Sequence, residues 1–153
     1  MIFIFLLAFP TVAICDVSFP EEGLWRPQKD RDAIFRIAPC EGGAPQAKAL
    51  CGWLVGLDYN TSDGPPKDFS GRSECGLEIL RNFIMDKNLN APLQGMVLDP
   101  RSGAYYHASL WMDRLDTLKL RGYLGIPLLG RTVTWSRYKG PPIGPHCQMA
   151  KGI

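Results

Sequence analysis

The chain has 153 residues, of which 46% are hydrophobic and 21% charged, so it has room for one packed domain but not for two ordinary ones. Its formal net charge of +2 gives no indication of nucleic-acid binding. The two histidines in the whole chain leave little scope for a histidine-based metal site, and we expect neither a metal nor a cofactor.

Residues 1–15 are apolar through Ile14 and carry no charged side chain. The run is too short to span a bilayer core of about 30 Å comfortably, and the small residues Ala13 and Cys15 precede Asp16 as they would precede a cleavage site. We therefore predict a cleaved secretory signal peptide, although it lacks the usual basic start. Lipid attachment at Cys15 is a weaker alternative. The mature protein is expected in the periplasm or outside the cell, without a transmembrane segment.

Four cysteines remain after removal of this segment, and they allow three disulfide pairings. They are Cys40, Cys51, Cys75 and Cys147. An oxidising compartment favours disulfides over a zinc site, and the chain lacks the CxxC spacing of zinc sites. Cys40 and Cys51 flank a loop between two strand-like runs, so we predict that they pair. The roles of Cys75 and Cys147 stay open.

Short apolar segments follow one another along the first half of the mature chain. AIFRIA, residues 33–38, alternates as half-buried strands do. LCGWLVGL, residues 50–57, is apolar on both faces and interrupted by glycines, which is typical of a strand with a bend. Residues 58–74 are rich in Gly, Pro, Ser and Asp and are predicted as a surface loop. GLEILRNFIM, residues 76–85, fits a strand, with a helical turn as the alternative.

The second half contains the clearest hairpins. DPRSG, residues 99–103, has the aspartate, proline and glycine of a tight turn between strands. Residues 116–138 hold two alternating runs on either side of GIPLLG, and Leu118 and Leu120 share one face of the first run. This stretch is predicted to be two strands joined by a short connection.

Eight predicted strands with short connections indicate an all-β fold. We predict a small eight-stranded antiparallel β-barrel over residues 16–138. A barrel of this size is either filled by its own side chains or able to hold one small ligand. Residues 139–153 lack periodicity and are predicted to form a loose C-terminal tail.

Five stretches of the chain together resemble one family. They are GLW (23–25), LCG (50–52) with the preceding Cys40, CGLEIL (75–80), LDPRSG (98–103) and LKLRGYLGIPLLGRTVTWSR (118–137). The family is the exported bacterial domain of unknown function 2147 (DUF2147), which is similar in fold to lipocalins. The resemblance implies a lipocalin-like barrel, and it brings no catalytic residue and no established ligand.

The likeness to lipocalins also implies roles for individual residues. In such a barrel a G-x-W near the first strand places the tryptophan across the closed end, and an arginine of the last strand stacks over it. Trp25 is the candidate plug and Arg137 the candidate cap, with Arg131 as second choice. The family pattern turns part of the sixth strand inward. With the apolar face of the next strand, this gives Tyr106, Leu110, Leu118 and Leu120 as candidates for the barrel interior and for ligand contact.

Two functions fit these features. The first is binding of a small apolar or amphipathic ligand inside the barrel, which requires a cavity of roughly 300 Å³ or more. The second is interaction with another protein of the cell envelope, without a ligand. Tyr105, Trp111 and Tyr123 are predicted on the outer face and would form the contact surface if they were exposed and contiguous.

A hydrolase is the least expected function, and we favour a protein that is not an enzyme. Asp99, His107 and Ser109 could be arranged as a catalytic triad on paper. The position of Asp99 at the start of a tight turn explains that residue fully, and Ser109 lacks the sharp turn that exposes a nucleophilic serine. No catalytic residue is therefore assigned.

Overall fold

The computed structural model of the protein describes residues 18–42, 48–88 and 90–151. The signal peptide predicted for residues 1–15 lies outside this part of the chain. The strands are β1 (Gly23–Pro27), β2 (Ala33–Pro39), β3 (Leu50–Leu57), β4 (Glu78–Ile84), β5 (Leu93–Leu98), β6 (Tyr105–Arg114), β7 (Thr117–Tyr123) and β8 (Arg131–Arg137). Two short 3-10 helices span Pro127–Leu129 and Pro145–Cys147. No helix in the described ranges has the length and apolar character needed to cross a membrane.

The sheet closes on itself. Each strand pairs antiparallel with the next, and β8 pairs back with β1, where Arg137 lies opposite Trp25. Closure leaves no unpaired sheet edge for another chain to pair with. The prediction of an all-β, eight-stranded antiparallel barrel is confirmed, and residues 116–138 contain its closing hairpin.

One strand departs from simple alternation. Leu80 and Phe83 of β4 are both fully buried although they are three residues apart. The register of β4 with β5 shifts within this strand, and Asn82 has a φ of 52°. Such a bulge gives a strand the i, i+3 spacing that also suits a helix. The helical-turn alternative for residues 76–85 is therefore wrong, and the strand is confirmed.

The two ends of the barrel differ in how they are filled. The β1–β2, β3–β4, β5–β6 and β7–β8 connections lie at one end, the open end, and the other three lie at the closed end. Large buried side chains fill the interior toward the closed end: Trp25, Ile37, Leu50, Leu80, Phe83, Leu93, Leu110 and Leu118. Their packing is tight, because a Cβ added at Gly52 would lie 2.8 Å from the side chain of Leu80. The closed end is thus a solid core.

Two disulfides join four of the cysteines, Cys40, Cys51, Cys75 and Cys147. Cys40 and Cys51 pair across the β2–β3 connection, with 4.9 Å between their Cα atoms, which confirms the predicted pair. Cys75 and Cys147 form the second bond, with a Cα separation of 5.6 Å. The sequence could not predict the Cys75–Cys147 bond. The two cysteines lie 72 residues apart in segments without strand periodicity.

The described part of the C-terminal tail is fixed to the barrel, unlike the loose tail that the sequence predicts. The backbone N–H of Met149 donates to the carbonyl of Leu57 at 3.0 Å, and the Met149 side chain is buried. The Gln148 amide donates to the carbonyl of Tyr59, also at 3.0 Å. The tail is held by the disulfide at Cys147 and by these hydrogen bonds rather than by regular strand pairing. Its sequence therefore shows no alternation of apolar and polar residues.

Candidate ligand-binding site

The open half of the barrel contains a cavity of about 940 Å³. Its side walls carry apolar and aromatic side chains from seven strands, β2 to β8: Ala33, Phe35, Leu54, Leu57, Ile79, Val97, Leu98, Tyr106, Leu120, Val133 and Trp135. Alternation places most of them there, because every second residue of a regular strand faces the interior, as Ala33 and Phe35 of β2 do. The cavity volume lies within the range of about 300–1,000 Å³ that is usual for small-molecule sites.

Two aromatic rings form one wall of the cavity. Phe35 of β2 and Trp135 of β8 stack with 4.5 Å between ring centroids and 8° between ring planes. Both residues follow the alternation of their strands, and the sequence offered no reason to single them out as site residues. The interior is less tightly packed at Gly122 of β7, where an added Cβ would meet only the Val97 side chain, at 3.4 Å. Part of the cavity volume exists because Gly122 has no side chain.

The four interior candidates divide into two pairs. Tyr106 and Leu120 line the cavity. Leu110 and Leu118 do not, because they lie nearer the closed end, where both are fully buried in the packed core. Register explains the difference: Leu110 pairs with Leu93 at the closed-end start of β5, whereas Tyr106 pairs with Val97 near its open end.

The β3–β4 connection contributes Pro66 and Glu74 to the cavity mouth. The sequence predicts it as a surface loop, and the structure gives it a folded centre at Asp68. The Asp68 carboxylate accepts hydrogen bonds from the hydroxyl and N–H of Ser70 and from the N–H and guanidinium of Arg72, at 2.8–2.9 Å. Burial opposes ionisation of Asp68, but these hydrogen bonds outweigh it and hold the pKa at about 2.

The same connection is tied to the neighbouring hairpin. The N–H of Phe69 donates to the carbonyl of Pro100 at 2.9 Å, in the DPRSG turn between β5 and β6. In that turn the Ser102 hydroxyl donates to the Asp99 carboxylate at 2.7 Å and lowers its pKa. The mouth of the cavity is therefore framed by two connections that are hydrogen-bonded to each other.

Charged side chains ring the apolar mouth. Asp32, Asp58 and Glu74 lie on one side with Arg101, and Arg131 lies at the start of β8. Burial raises the pKa of Glu74, the carboxylate of Asp68 adds to this, and Arg101 partly offsets it. An apolar chamber with a charged rim suits a ligand with an apolar body and a polar end.

The opposite end of the barrel is closed by Trp25. The indole N–H donates to the Glu21 carbonyl at 2.8 Å, and no part of the ring is exposed. The guanidinium of Arg137 lies 4.2 Å from the ring centroid. Arg131, the second choice for this cap, is at the other end of β8 and lines the cavity mouth, so that alternative is wrong.

Asp99, His107 and Ser109, the residues of the hypothetical triad, each contact other residues. Asp99 accepts from Ser102 at the open end. The Ser109 hydroxyl donates to the side chain of Gln94 at 3.1 Å, and the exposed His107 ring stacks with Tyr123 at a centroid distance of 6.1 Å. Among the described residues, no hydrogen bond joins Asp99, His107 and Ser109 to one another.

The outer aromatic residues do not form one continuous patch. Tyr123 lies beside His107, whereas Trp111 pairs with Lys119. Between these two positions lies the pair of Ser109 and Arg121, which puts polar groups between the aromatic rings. The outer face of β6 and β7 is therefore a mixed surface.

An eight-stranded barrel that is closed at one end by a buried tryptophan and open at the other into an apolar cavity is a lipocalin-like protein. The chain belongs to the bacterial family DUF2147, described as "uncharacterized protein conserved in bacteria"; the family model matches residues 23–137. No curated protein matches the chain.

A solved structure supports the fold. It is described as "Protein HP1028 from the human pathogen Helicobacter pylori belongs to the lipocalin family". The two chains are 15% identical, the match covers 77% of this chain and 82% of that one, and the TM-score is 0.56. At this identity the likeness concerns the fold alone.

Proposed function

We propose that this protein binds a small apolar or amphipathic molecule in the open half of its barrel. The observation that carries the proposal is the cavity of about 940 Å³ with its aliphatic and aromatic walls. An interior filled by side chains would have excluded this function. A cavity three times the minimum of roughly 300 Å³ for a small-molecule site supports it.

The arrangement of polar groups supports an amphipathic ligand. Charged side chains occur at the rim, whereas the Phe35–Trp135 wall deeper in the barrel is apolar. A ligand with its apolar part against this wall would remove hydrophobic surface from water. This burial would contribute about 25 cal/mol of binding free energy for each Å² buried. Its polar end would stay hydrated between the acidic residues and arginines of the mouth.

The proposed place of action is the periplasm or the exterior of the cell. Two disulfides are typical of proteins that fold in an oxidising compartment, and they are rare in the bacterial cytosol. The predicted signal peptide over residues 1–15 would deliver the chain there. The partner that we propose is the small ligand itself.

The test uses N-phenyl-1-naphthylamine, an uncharged apolar probe whose fluorescence increases in an apolar environment. Wild-type protein is expected to give a saturable signal with one probe per chain. Gly122→Leu fills the cavity without a backbone clash, because only Val97 lies near the added Cβ, and it is expected to weaken probe binding at least tenfold.

Thr134→Leu is the matched control, because it introduces the same side chain on the outer face of β8. Val133 and Trp135 on either side of Thr134 face the cavity, so the side chain at position 134 points away from it. The probe affinity of this variant is expected to equal that of the wild type. Absence of saturable binding to the wild type, or equal binding to Gly122→Leu, would overturn the proposal. Circular dichroism of all three proteins checks that each is folded.

A further inference from the structure

The β7–β8 connection presents an unusual apolar surface. Leu124, Ile126, Leu128 and Leu129 are 68, 54, 81 and 76% exposed, and all four lie within residues 124–130, a stretch without a charged side chain. Single exposed leucines are ordinary on protein surfaces, but contiguous large apolar groups mark a contact site. We name residues 124–130 the apolar tip.

The backbone of the apolar tip is largely satisfied from within. The N–H of Leu129 donates to the carbonyl of Ile126, the N–H of Gly130 donates to that of Pro127, and Pro127 has no N–H. Arg121 of β7 donates to the carbonyls of Pro127 and Leu128 at 2.7 and 3.2 Å. Peptide groups that are already paired can enter an apolar phase without the cost of losing water.

The same arginine fixes the shape of the tip. Its third bond, from Nη1 to the Thr132 hydroxyl at 2.8 Å, joins β7 to β8. The guanidinium therefore holds the 3-10 turn Pro127–Leu129 from the strand side, and the leucines of the tip stay exposed. An apolar surface held in this way requires little further ordering when it meets a partner.

The charge around the tip indicates which partner it fits. Arg121 and Arg131 flank the tip in the chain, whereas the acidic side chains of the mouth, Asp32, Asp58 and Glu74, come from other connections. Within the described residues, the side chain of Arg131 forms no hydrogen bond or ion pair. This arrangement matches the layers of a bilayer. The apolar side chains of the tip suit the acyl chains, Tyr123 suits the interface, and the arginines suit the anionic phosphates.

We propose that the apolar tip docks the barrel on the surface of an anionic lipid bilayer. Leu124, Leu129 and Arg131 also line the cavity mouth, so docking would bring the open end of the barrel against the lipid. The proposal goes beyond ligand binding and does not depend on it, because the tip would insert whether or not the cavity is occupied.

Flotation with lipid vesicles tests the proposal. Full mature protein is mixed with vesicles of phosphatidylethanolamine and phosphatidylglycerol, or with vesicles of phosphatidylcholine alone. The wild type is expected to float with the anionic vesicles. Leu128→Ser combined with Leu129→Ser removes the two most exposed side chains of the tip and is expected to lower the partition coefficient by about tenfold or more. Arg131→Gln is expected to lower it by about fivefold, on anionic vesicles only.

Leu115→Ser is the matched control. Leu115 is 86% exposed and lies in the β6–β7 turn at the closed end, so this variant is expected to float like the wild type. Gly122→Leu is expected to float as well, which separates this proposal from ligand binding. The proposal is overturned if the wild type does not float, or if the double serine variant floats equally. It is also overturned if the tip instead mediates a dimer, detected by sedimentation equilibrium and lost in the double variant, without vesicle binding.

Discussion

The guanidinium group of Arg137 covers the indole ring of Trp25, and it also holds the chain that enters the first strand. Its two Nη atoms donate to the carbonyls of Glu22 and Pro20 at 2.9 and 3.0 Å, while Nε donates to the Asp116 carboxylate at 3.1 Å. Gly23 makes room for this arrangement, since a Cβ there would lie 2.7 Å from Nη1 of Arg137. The closure depends on a planar, forked cation rather than on charge alone.

We therefore expect Arg137→Lys to lose most of the stability that Arg137→Met loses, about 2–4 kcal/mol. A lysine keeps the charge but cannot donate to three acceptors in this fixed geometry. The measurement is the free energy of unfolding in urea. Probe affinity is expected to be unchanged, because the cavity lies at the other end of the barrel.

Arg81→Lys is the control for this substitution. Arg81 stacks over Tyr105 at 4.7 Å and pairs with Glu78 at 3.0 Å, but on the exposed face of the sheet. Exposed pairs of this kind contribute about 0–1 kcal/mol. A loss at position 137 as small as that at position 81 would show that Arg137 is an ordinary surface arginine.

The sequence predicted those features that depend on alternation or on local chemistry. Strand order and barrel closure followed from period-2 runs and turn residues, and the Cys40–Cys51 bond followed from two cysteines that face each other across a hairpin. The bulge at Asn82 shows the limit, since one residue with positive φ made a strand resemble a helix. Local pattern predicts an element well only while its pairing stays regular.

The cavity and the fixed tail could not be predicted, for a different reason. Whether Tyr106 lines a cavity and Leu110 a core depends on how far side chains from all strands fill the interior, which is a property of the whole barrel. The position of Met149 against β3 depends on the Cys75–Cys147 bond and on a single bridge to Leu57. Neither leaves a periodic trace in the sequence.

The two disulfides are expected to differ in their effect on stability. In the chain-entropy account the stabilisation grows with the length of the closed loop, and the separations are 11 and 72 residues. Replacing Cys75 and Cys147 by serine is expected to cost about 4 kcal/mol, against about 3 kcal/mol for Cys40 and Cys51. Urea unfolding of the two double variants checks the order. A larger loss for the short loop would show that native contacts, not chain entropy, dominate.

Two interior glycines are expected to respond oppositely to alanine. At Gly52 the new Cβ would lie 2.8 Å from Leu80 in the solid core, and such overpacking costs about 1–3 kcal/mol. At Gly122 the nearest atom is 3.4 Å away, in Val97. There the loss of glycine's freedom in the unfolded chain is expected to leave stability unchanged or raise it by up to about 1 kcal/mol. Thermal unfolding of both variants tests whether the interior is tight at one end and open at the other, and equal losses would contradict this.

Acid is expected to weaken the protein through Asp68. Its folded-state pKa of about 2 lies below the ordinary value of 3.8, so its ionised form stabilises the fold. This stabilisation is fully present above the ordinary pKa and is lost as the pH falls through about 4 toward 2. The stability difference between wild type and Asp68→Asn is therefore expected to be constant near neutral pH and to shrink over that interval. Titration of the Asp68 carboxyl carbon by NMR gives the pKa directly, and Ser70→Ala, which removes the hydroxyl donor at 2.8 Å, is expected to raise it. A wild-type value at the ordinary 3.8 would show that the hydrogen bonds at the centre of the β3–β4 connection do not stabilise the carboxylate.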